Sequence, residues 1–278
     1  MKIWEFTLLI WCGGAAAGFL GSLTGLGGGV VIVPLLTILM GVDIRYAIGA
    51  SLVSVIATSC GAAAAYVKEG YTNMRIGMFL EIATTLGAVG GAYLAAVVST
   101  SAIAVVFGVV LIVSAYLASR EHHEPAIAAR PDPIAARLRM DGAYPTPHGQ
   151  QAYHVRAVPA GFGMMFVAGI MSGLLGIGSG ALKVLAMDQV MRIPFKVSTT
   201  TSNFMIGVTA AASAGVYLGR GYIDPGLAMP VMLGVLLGAM LGARVLVHAK
   251  VKTLRIVFAL VIAALGIEMI LKGLGAGG

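Results

Sequence analysis

The sequence predicts an all-α polytopic membrane protein built from two inverted repeats, each a broken or re-entrant helical hairpin followed by three transmembrane helices. Three observations carry this expectation. First, 59% of the 278 residues are hydrophobic and only 10% are charged, with a mean hydropathy of +0.95, whereas a soluble domain carries about a quarter charged residues. Second, the chain divides into apolar stretches long enough to cross a bilayer, which needs roughly 20 residues. Third, the sequence repeats itself at an offset of 151 residues. Such a composition excludes a cytosolic enzyme, a nucleic-acid-binding domain and a secreted disulfide scaffold. Lipid is the solvent for most of the chain.

The elements follow in order. Residues 6–40 are apolar but too long for one helix, and Thr24-Gly25-Leu26-Gly27-Gly28-Gly29 breaks them in the middle. Single spans are expected at 45–67, 76–98 and 101–118. Residues 119–157 hold five of the ten prolines and four of the five histidines, and read as a polar linker with one short helix around Pro133–Met140. Residues 158–191 are again over-long and broken, here by Gly176-Ile177-Gly178-Ser179-Gly180, and spans follow at 196–218, 228–247 and 254–271. The domain reading is therefore 1–118, 119–157 and 158–278. The N-terminal apolar run lacks a small-residue cleavage site and reads as the start of the first membrane segment. Cys12 and Cys60 sit in apolar stretches and read as small buried hydrophobes.

Sliding the chain by 151 places Gly25, Gly27 and Gly29 on Gly176, Gly178 and Gly180, and Ser51 on Ser202. Tyr66 falls on Tyr217, Gly70-Tyr71 on Gly221-Tyr222, and Leu86-Gly87-Ala88 on Leu237-Gly238-Ala239. Charge decides the orientation of the copies. If every apolar region crosses once, Lys and Arg divide ten against eight. If both broken regions dip in and return, Lys68, Arg75, the linker arginines, Arg192, Lys196, Arg244, Lys250, Lys252 and Arg255 share one face. Only Lys2, Arg45, Arg220 and Lys272 remain on the other, which is thirteen against four, with Lys183 inside a hairpin. Cytoplasmic loops collect Lys and Arg, so the linker is expected in the cytoplasm of a bacterial inner-membrane protein, with both termini outside.

Inverted repeats whose broken helices meet at mid-membrane are the architecture of secondary transporters. A break leaves unpaired N–H groups carrying a partial positive charge at the start of the second half-helix. Such groups suit an anion. Candidate substrate-binding residues are therefore Thr24, Gly25, Gly27, Gly28 and Gly29 in the first break, and Gly176, Gly178, Ser179 and Gly180 in the second. Lys183 joins them as an intramembrane charge, with Asp188 as an alternative partner for it. Ser51, Thr201, Ser202 and Asn203 belong to hydroxyl- and amide-rich runs that follow each break and offer a neutral hydrogen-bonding wall. Glu81 and Glu268 lie within or near spans and are read equally well as proton-coupling or structural carboxylates. Gly21/Gly25, Gly87/Gly91 and Gly238/Gly242 read as close helix packing. A P-loop is rejected because Lys183 precedes Val184 and not Ser or Thr. No metal site is expected from His122, His123, His148 and His154, whose spacing matches no ligand pattern, and no cofactor or nucleic-acid partner is expected. No histidine lies in a span, so an intramembrane Ser–His hydrolase lacks its base and the chain does not read as an enzyme.

At the breaks the sequence resembles a known family. Ala17-Gly18-Phe19-Leu20-Gly21-Ser22-Leu23-Thr24-Gly25-Leu26-Gly27-Gly28-Gly29, followed by Pro34, resembles the first signature of the sulfite exporter (TauE/SafE) family. Ala168-Gly169-Ile170-Met171-Ser172-Gly173-Leu174-Leu175-Gly176-Ile177-Gly178 resembles its second. Ala50-Ser51-Leu52, Gly70-Tyr71 and Leu86-Gly87 with Gly91-Ala92 fit as well. The resemblance implies a carrier of small sulfur-containing anions such as sulfite, organosulfonates or thiosulfate, working by alternating access as one repeat rocks against the other. The membrane potential or protons would drive it; an inside-negative potential favours anion exit by about 2.3 kcal/mol per charge per 100 mV. The alternatives left open are a passive anion channel and a membrane-embedded sensor or enzyme acting through the linker. Ser179 stands where the family usually has glycine, Leu185 where the first half has Pro34, and Lys183 where it has Ile32.

Overall fold

A computed structural model describes residues 3–24, 28–68, 71–119, 132–146, 149–246 and 251–275. Eleven α-helices account for most of them: α1 Ile3–Thr24, α2 Gly29–Pro34, α3 Ile44–Lys68, α4 Met74–Val97, α5 Thr100–Ser119, α6 Pro133–Arg137, α7 Val158–Leu175, α8 Gly180–Leu185, α9 Phe195–Gly219, α10 Pro225–Leu246 and α11 Val251–Gly275. The chain is thus the all-α protein that its composition requires. The six single-span expectations agree with α3, α4, α5, α9, α10 and α11 to within four residues at each end. The over-long regions resolve into α1 plus α2 and α7 plus α8. Each short helix runs on into one π-helical turn, Leu35–Leu39 or Ala186–Val190. Start signals are local: Asn73 caps α4 by accepting from the Ile76 N–H at 3.1 Å. Asp224 accepts from Gly226 N at 2.7 Å ahead of α10, whose first residue is Pro225.

The bounds of α2, its π turn and α3 recur 151 residues later as those of α8, its π turn and α9. Packing crosses between the copies. The α1 helix lies along α10 in parallel, Gly14 against Val231 and Gly18 against Val235. Its counterpart α7 lies along α4 in the same way, Gly169 against Thr84 and Gly173 against Ala88. By contrast, α5 and α11 run antiparallel, with Gly108 against Gly266 and Gly273 against Ser101. So do α3 and α9, with Gly207 against Ser59 and Gly49 against Tyr222 just beyond α9. Gly13 touches Leu35 and Gly28 touches Gly18, so α2 turns back alongside α1. Gly161 touches Met191, so the arm after α8 turns back alongside α7.

Polarity is arranged for an apolar solvent. Ser51, Ser54, Thr84, Ser172, Lys183, Ser198, Thr209 and Ser213 are fully buried, while Leu86, Val97, Leu241 and Leu271 face outward. Among the described residues, α4 and α7 alone meet both the length and the hydropathy needed to cross a bilayer. Cys12 is a correction to the sequence reading: it lies exposed on the outer face of α1 and not inside the bundle. Cys60 has its side chain outside the described residues.

One end of the bundle gathers the loop after α2, the α4–α5 turn and the α9–α10 turn. There Arg45 donates to the Ala95 and Val98 carbonyls at 3.1 and 3.0 Å and covers the Tyr222 ring. The opposite end carries the linker. Besides the expected short helix α6, the linker contains an antiparallel hairpin of β1 Gly142–Thr146 and β2 Gly149–Tyr153. Its segments, GAYPT and GQQAY, lack the β-branched alternation that marks a strand, so the sequence alone does not reveal it. Tertiary contacts hold it: Tyr144 and Tyr153 are buried, and Asn73 Nδ2 donates to the Met140 carbonyl at 3.0 Å and to the Tyr153 hydroxyl at 2.8 Å. Burial raises the Tyr153 pKa above its ordinary value; the Asn73 hydrogen bond opposes this and the Asp141 charge adds to it. Arg156 N donates to the Met191 carbonyl at 3.0 Å, so the linker also grips the arm that follows α8.

Glycine fits the helix seams because backbone meets backbone there. A Cβ on Gly87 would lie 2.2 Å from the Phe166 carbonyl oxygen, and one on Gly238 1.9 Å from that of Ala15, while Gly90 has nothing within 4 Å. Overpacking costs about 1–3 kcal/mol. Gly87→Ala is therefore expected to lower the thermal unfolding midpoint of the detergent-solubilised protein, and Gly90→Ala to leave it unchanged or raise it slightly.

Candidate functional site

The second break is a run of left-handed backbone. Gly176 closes α7 at φ +68°, with its N–H on the Ser172 carbonyl at 2.8 Å. Gly178 follows at +71° and Ser179 at +50° before α8 begins. Glycine enters that region freely, whereas a residue with a Cβ does so at a cost of about 1 kcal/mol or more. Ser179 bears that cost, whereas its repeat counterpart Gly28 lies at φ −65°, and the Ser179 hydroxyl is buried with no hydrogen-bond partner among the described residues. In the first break, Gly25 and Gly27 lie outside the described residues, as does the side chain of Thr24. Gly28 and Gly29 open α2, and the Val31 and Ile32 N–H groups return to the Gly28 carbonyl.

The two breaks meet. A Cβ on Gly29 would sit 3.1 Å from the Gly176 carbonyl oxygen and 2.8 Å from Ser51 Oγ. The Ser51 hydroxyl lies 2.8 Å from the Gly176 carbonyl oxygen and 3.4 Å from that of Gly29. Its counterpart Ser202 donates to the Gly180 carbonyl at 3.3 Å. The 29/51 and 180/202 contacts are related by the repeat offset. Ser51 thus directs its proton to the Gly176 carbonyl that the break frees at the end of α7, while Ser202 binds the carbonyl of the first residue of α8. Thr201 is used elsewhere, accepting from the Asn73 N–H at 3.1 Å beside the linker, and Asn203 is half-buried on α9. Beside the tips, Val30, Val110, Ser114, Ile177, Ser179, Gly180 and Leu182 line a space of about 10 Å³, enough for roughly one water.

Lys183, one turn beyond Ser179 on α8, is fully buried. Its ammonium donates to Thr209 Oγ1 at 2.5 Å, and Thr209 Oγ1 in turn donates to Glu81 Oε1 at 2.6 Å. Thr85 also reaches Glu81 Oε1, at 3.2 Å, whereas Glu81 Oε2 is buried without a hydrogen-bond partner among the described residues. The charge on α8 is therefore balanced by one on α4 through a hydroxyl on α9. Asp188 accepts from Gln189 Nε2 at 2.7 Å, and Glu268 is exposed on α11. His154 contacts Asp141 at 3.0 Å in the linker. His122, His123 and His148 lie outside the described residues, as does the side chain of Arg244.

Sequence reasoning named Lys183 and Glu81 separately and did not join them. Thr209 was missed, although the offset pairs it with Thr58, a recurrent hydroxyl. The same offset pairs Lys183 with Ile32 and Glu81 with Met232, so the equivalent position in the other half has no charge. Removing one member of a buried ion pair strands the other at a cost of about 3–5 kcal/mol, while replacing both with apolar residues is often neutral. Lys183→Ile alone is thus expected to lower the unfolding free energy in detergent by that amount. Combining it with Glu81→Met should restore most of the loss, which a double-mutant cycle would measure.

Comparison with known proteins gives the chain its place. It is 30% identical to the probable membrane transporter protein YunE of Bacillus subtilis over 94% of this chain and 96% of that one. It is 25% identical to the probable membrane transporter protein MJ0441 of Methanocaldococcus jannaschii over 93% of each. A further relative, the probable membrane transporter protein YdhB of B. subtilis, is 26% identical over 80% of this chain and 82% of its own. No solved structure matches. Residues 10–269 match the family model described as sulfite exporter TauE/SafE. With helices packed for an apolar solvent and glycine breaks meeting inside them, the chain belongs to the TauE/SafE family of membrane transporters.

Proposed function

We propose that this transporter carries small sulfur-containing anions, such as sulfite, organosulfonates or thiosulfate, outward across the inner membrane by alternating access. The observation that carries the reading is the meeting of two backbone breaks, Gly29 against Gly176, with the buried Lys183 one helical turn along α8 from Ser179. The N–H groups at Gly28–Gly29 and Gly178–Gly180, together with Lys183, are the donors an oxyanion would use, and the buried hydroxyl of Ser179 adds a neutral one. Ser51 and Ser202 hold the tips in register. Among the described residues the space beside the tips is smaller than any of these anions, and binding requires the tips to part.

Inverted repeats are supported by helix direction. Copies related by a two-fold axis along the helices would run parallel, yet α5 and α11 are antiparallel, as are α3 and α9. An axis in the membrane plane accounts for both pairs, and also for α1 lying parallel to α10, provided that the hairpins α1–α2 and α7–α8 are re-entrant. The repeats are then 1–118 and 158–278, and the charge bias puts the linker at 119–157 in the cytoplasm. Rocking one sequence half against the other would separate α1 from α10 and α4 from α7, the seams where backbones touch. The moving bodies follow the packing: α1, α2, α3 and α10 form one, α7, α8, α9 and α4 the other, and they hinge where α3 crosses α9.

The test is flux in proteoliposomes with sulfite, ethanesulfonate, thiosulfate and sulfate. Saturable movement of at least one of the first three is expected, and a linear, unsaturable flux would indicate a channel. If no anion moves, the anion-carrier reading is wrong.

A further inference from the structure

A two-fold scaffold offers two equivalent places for any feature, and here only one is charged. In the first half the positions matching Lys183, Thr209 and Glu81 are Ile32, Thr58 and Met232. Ile32 is itself fully buried, so the fold is built at the equivalent position without an ion pair. The charged version carries the usual penalty for desolvating two ions in a low-dielectric interior, and an apolar alternative is written into the same chain. Its retention on one side points to a role in transport and not in folding.

The geometry gives that role a form. Lys183 stands one turn along α8 from the hairpin tip, its N–H bonded to the Ser179 carbonyl at 3.0 Å. Its ammonium touches Glu81 only through Thr209, whose single hydroxyl oxygen lies 2.5 Å from the nitrogen and 2.6 Å from the carboxylate. One oxygen of Glu81 is held by Thr209 and Thr85, while the other is buried with no hydrogen-bond partner among the described residues, a place where a proton can reside. The helices packed on α4 add few competing charges. The α7 helix has no ionisable residue, α9 presents Thr209 and carries Lys196 in its first turn and Tyr217, whose hydroxyl donates to the Gly173 carbonyl, near its end, and the carboxylate of Asp188 on the turn after α8 accepts from Gln189.

We propose that Glu81 and Lys183 form a switchable counter-ion pair that couples each anion to one proton. With the site empty, the ammonium of Lys183 is balanced by the carboxylate of Glu81 through Thr209. When a monovalent anion enters at the tips, it takes over as the counter-ion of Lys183, and Glu81 accepts one proton from the aqueous phase to which the site is open. One negative charge and one positive charge have been added, so the site stays neutral in both states. Anion and proton then cross together and leave together, the proton returning to water as Glu81 pairs with Lys183 again. Net transport follows the combined anion and proton gradients and is insensitive to membrane potential, so outward flux is driven by the anion's own concentration gradient and carries a proton with it. Thr209 is a positioning residue that holds the pair in reach.

This rests on the anion-carrier reading and is tested so that the two can fail separately. The probes are sulfite and ethanesulfonate, the second because it carries no proton of its own at neutral pH. In wild-type proteoliposomes the proposal expects one proton, reported by a pH-sensitive dye, to move with each ethanesulfonate in the same direction, with no response to an imposed potential. The combined variant Glu81→Met/Lys183→Ile, the other repeat's own solution, should fold and lose proton-linked flux. Thr209→Ser should retain coupling and Thr209→Val should lose it. Infrared difference spectra of the detergent-solubilised protein should show a protonated-carboxyl band on adding sulfite or ethanesulfonate, absent in Glu81→Gln. Anion flux without proton movement, or proton-linked flux in Glu81→Met/Lys183→Ile, overturns the pair's role and leaves the carrier reading standing. No flux of any anion overturns the carrier reading, and a silent infrared difference overturns the pair's role whether or not anions move.

Discussion

Everything in this molecule depends on how a broken helix is tolerated inside an apolar solvent. A break frees backbone N–H and C=O groups, and in a bilayer no water is at hand to take them, at a cost of several kcal/mol for each group left alone. Here the breaks answer each other. The Gly176 carbonyl, released at the end of α7, receives the hydroxyl of Ser51 from the opposite repeat, while Ser202 ties α9 to the start of α8 through the Gly180 carbonyl. That requirement fixes α3 and α9 as the crossing pair at the centre, since they carry the two serines. It also brings Gly29 within reach of Gly176, where a side chain on Gly29 would press on Ser51, Val55 and the Gly176 carbonyl, and one on Gly176 would press on Ile48 of α3.

The surrounding helices serve this centre by close packing, not by hydrophobic exclusion, which has no driving force between helices in lipid. The seams α1–α10 and α4–α7 are glycine-lined and backbone-tight, so each behaves as one rigid edge. Both seams join the two sequence repeats, which is why the proposed moving bodies do not coincide with the repeats. Chemistry then breaks the symmetry that packing maintains. Lys183 and Glu81 come from different repeats, each replacing an apolar residue of the other copy, and they are useful only together.

Much of this was legible in the sequence because membrane helices are written in composition. The six uninterrupted spans and both breaks follow from apolar length and glycine placement, signals that tertiary structure rarely overrides in lipid. The family resemblance was carried by the same breaks. What sequence reasoning missed depends on who meets whom across the fold. Ser51 is legible in the sequence as a hydrogen-bonding residue at the break, but not its contact with a carbonyl 125 residues away. Glu81 looked like an isolated acid because its partner is on α8 and the bridging Thr209 on α9. The linker hairpin has weak strand character and is held by Asn73 and the buried tyrosines, contacts that no local pattern encodes. Cys12 shows the limit of hydropathy itself: an apolar segment does not reveal which of its faces meets lipid.

The central claim is that the two repeats are inverted because each begins with a hairpin that returns to its own side. Accessibility of single cysteines decides it most directly. In a background lacking Cys12 and Cys60, cysteine at positions 43, 99 and 220 should react with a membrane-impermeant thiol reagent from outside only. Cysteine at positions 75, 139 and 192 should react only in inside-out vesicles. Labelling of position 43 from the cytoplasmic side, or of positions 99 and 220 from opposite sides, would contradict the inverted arrangement.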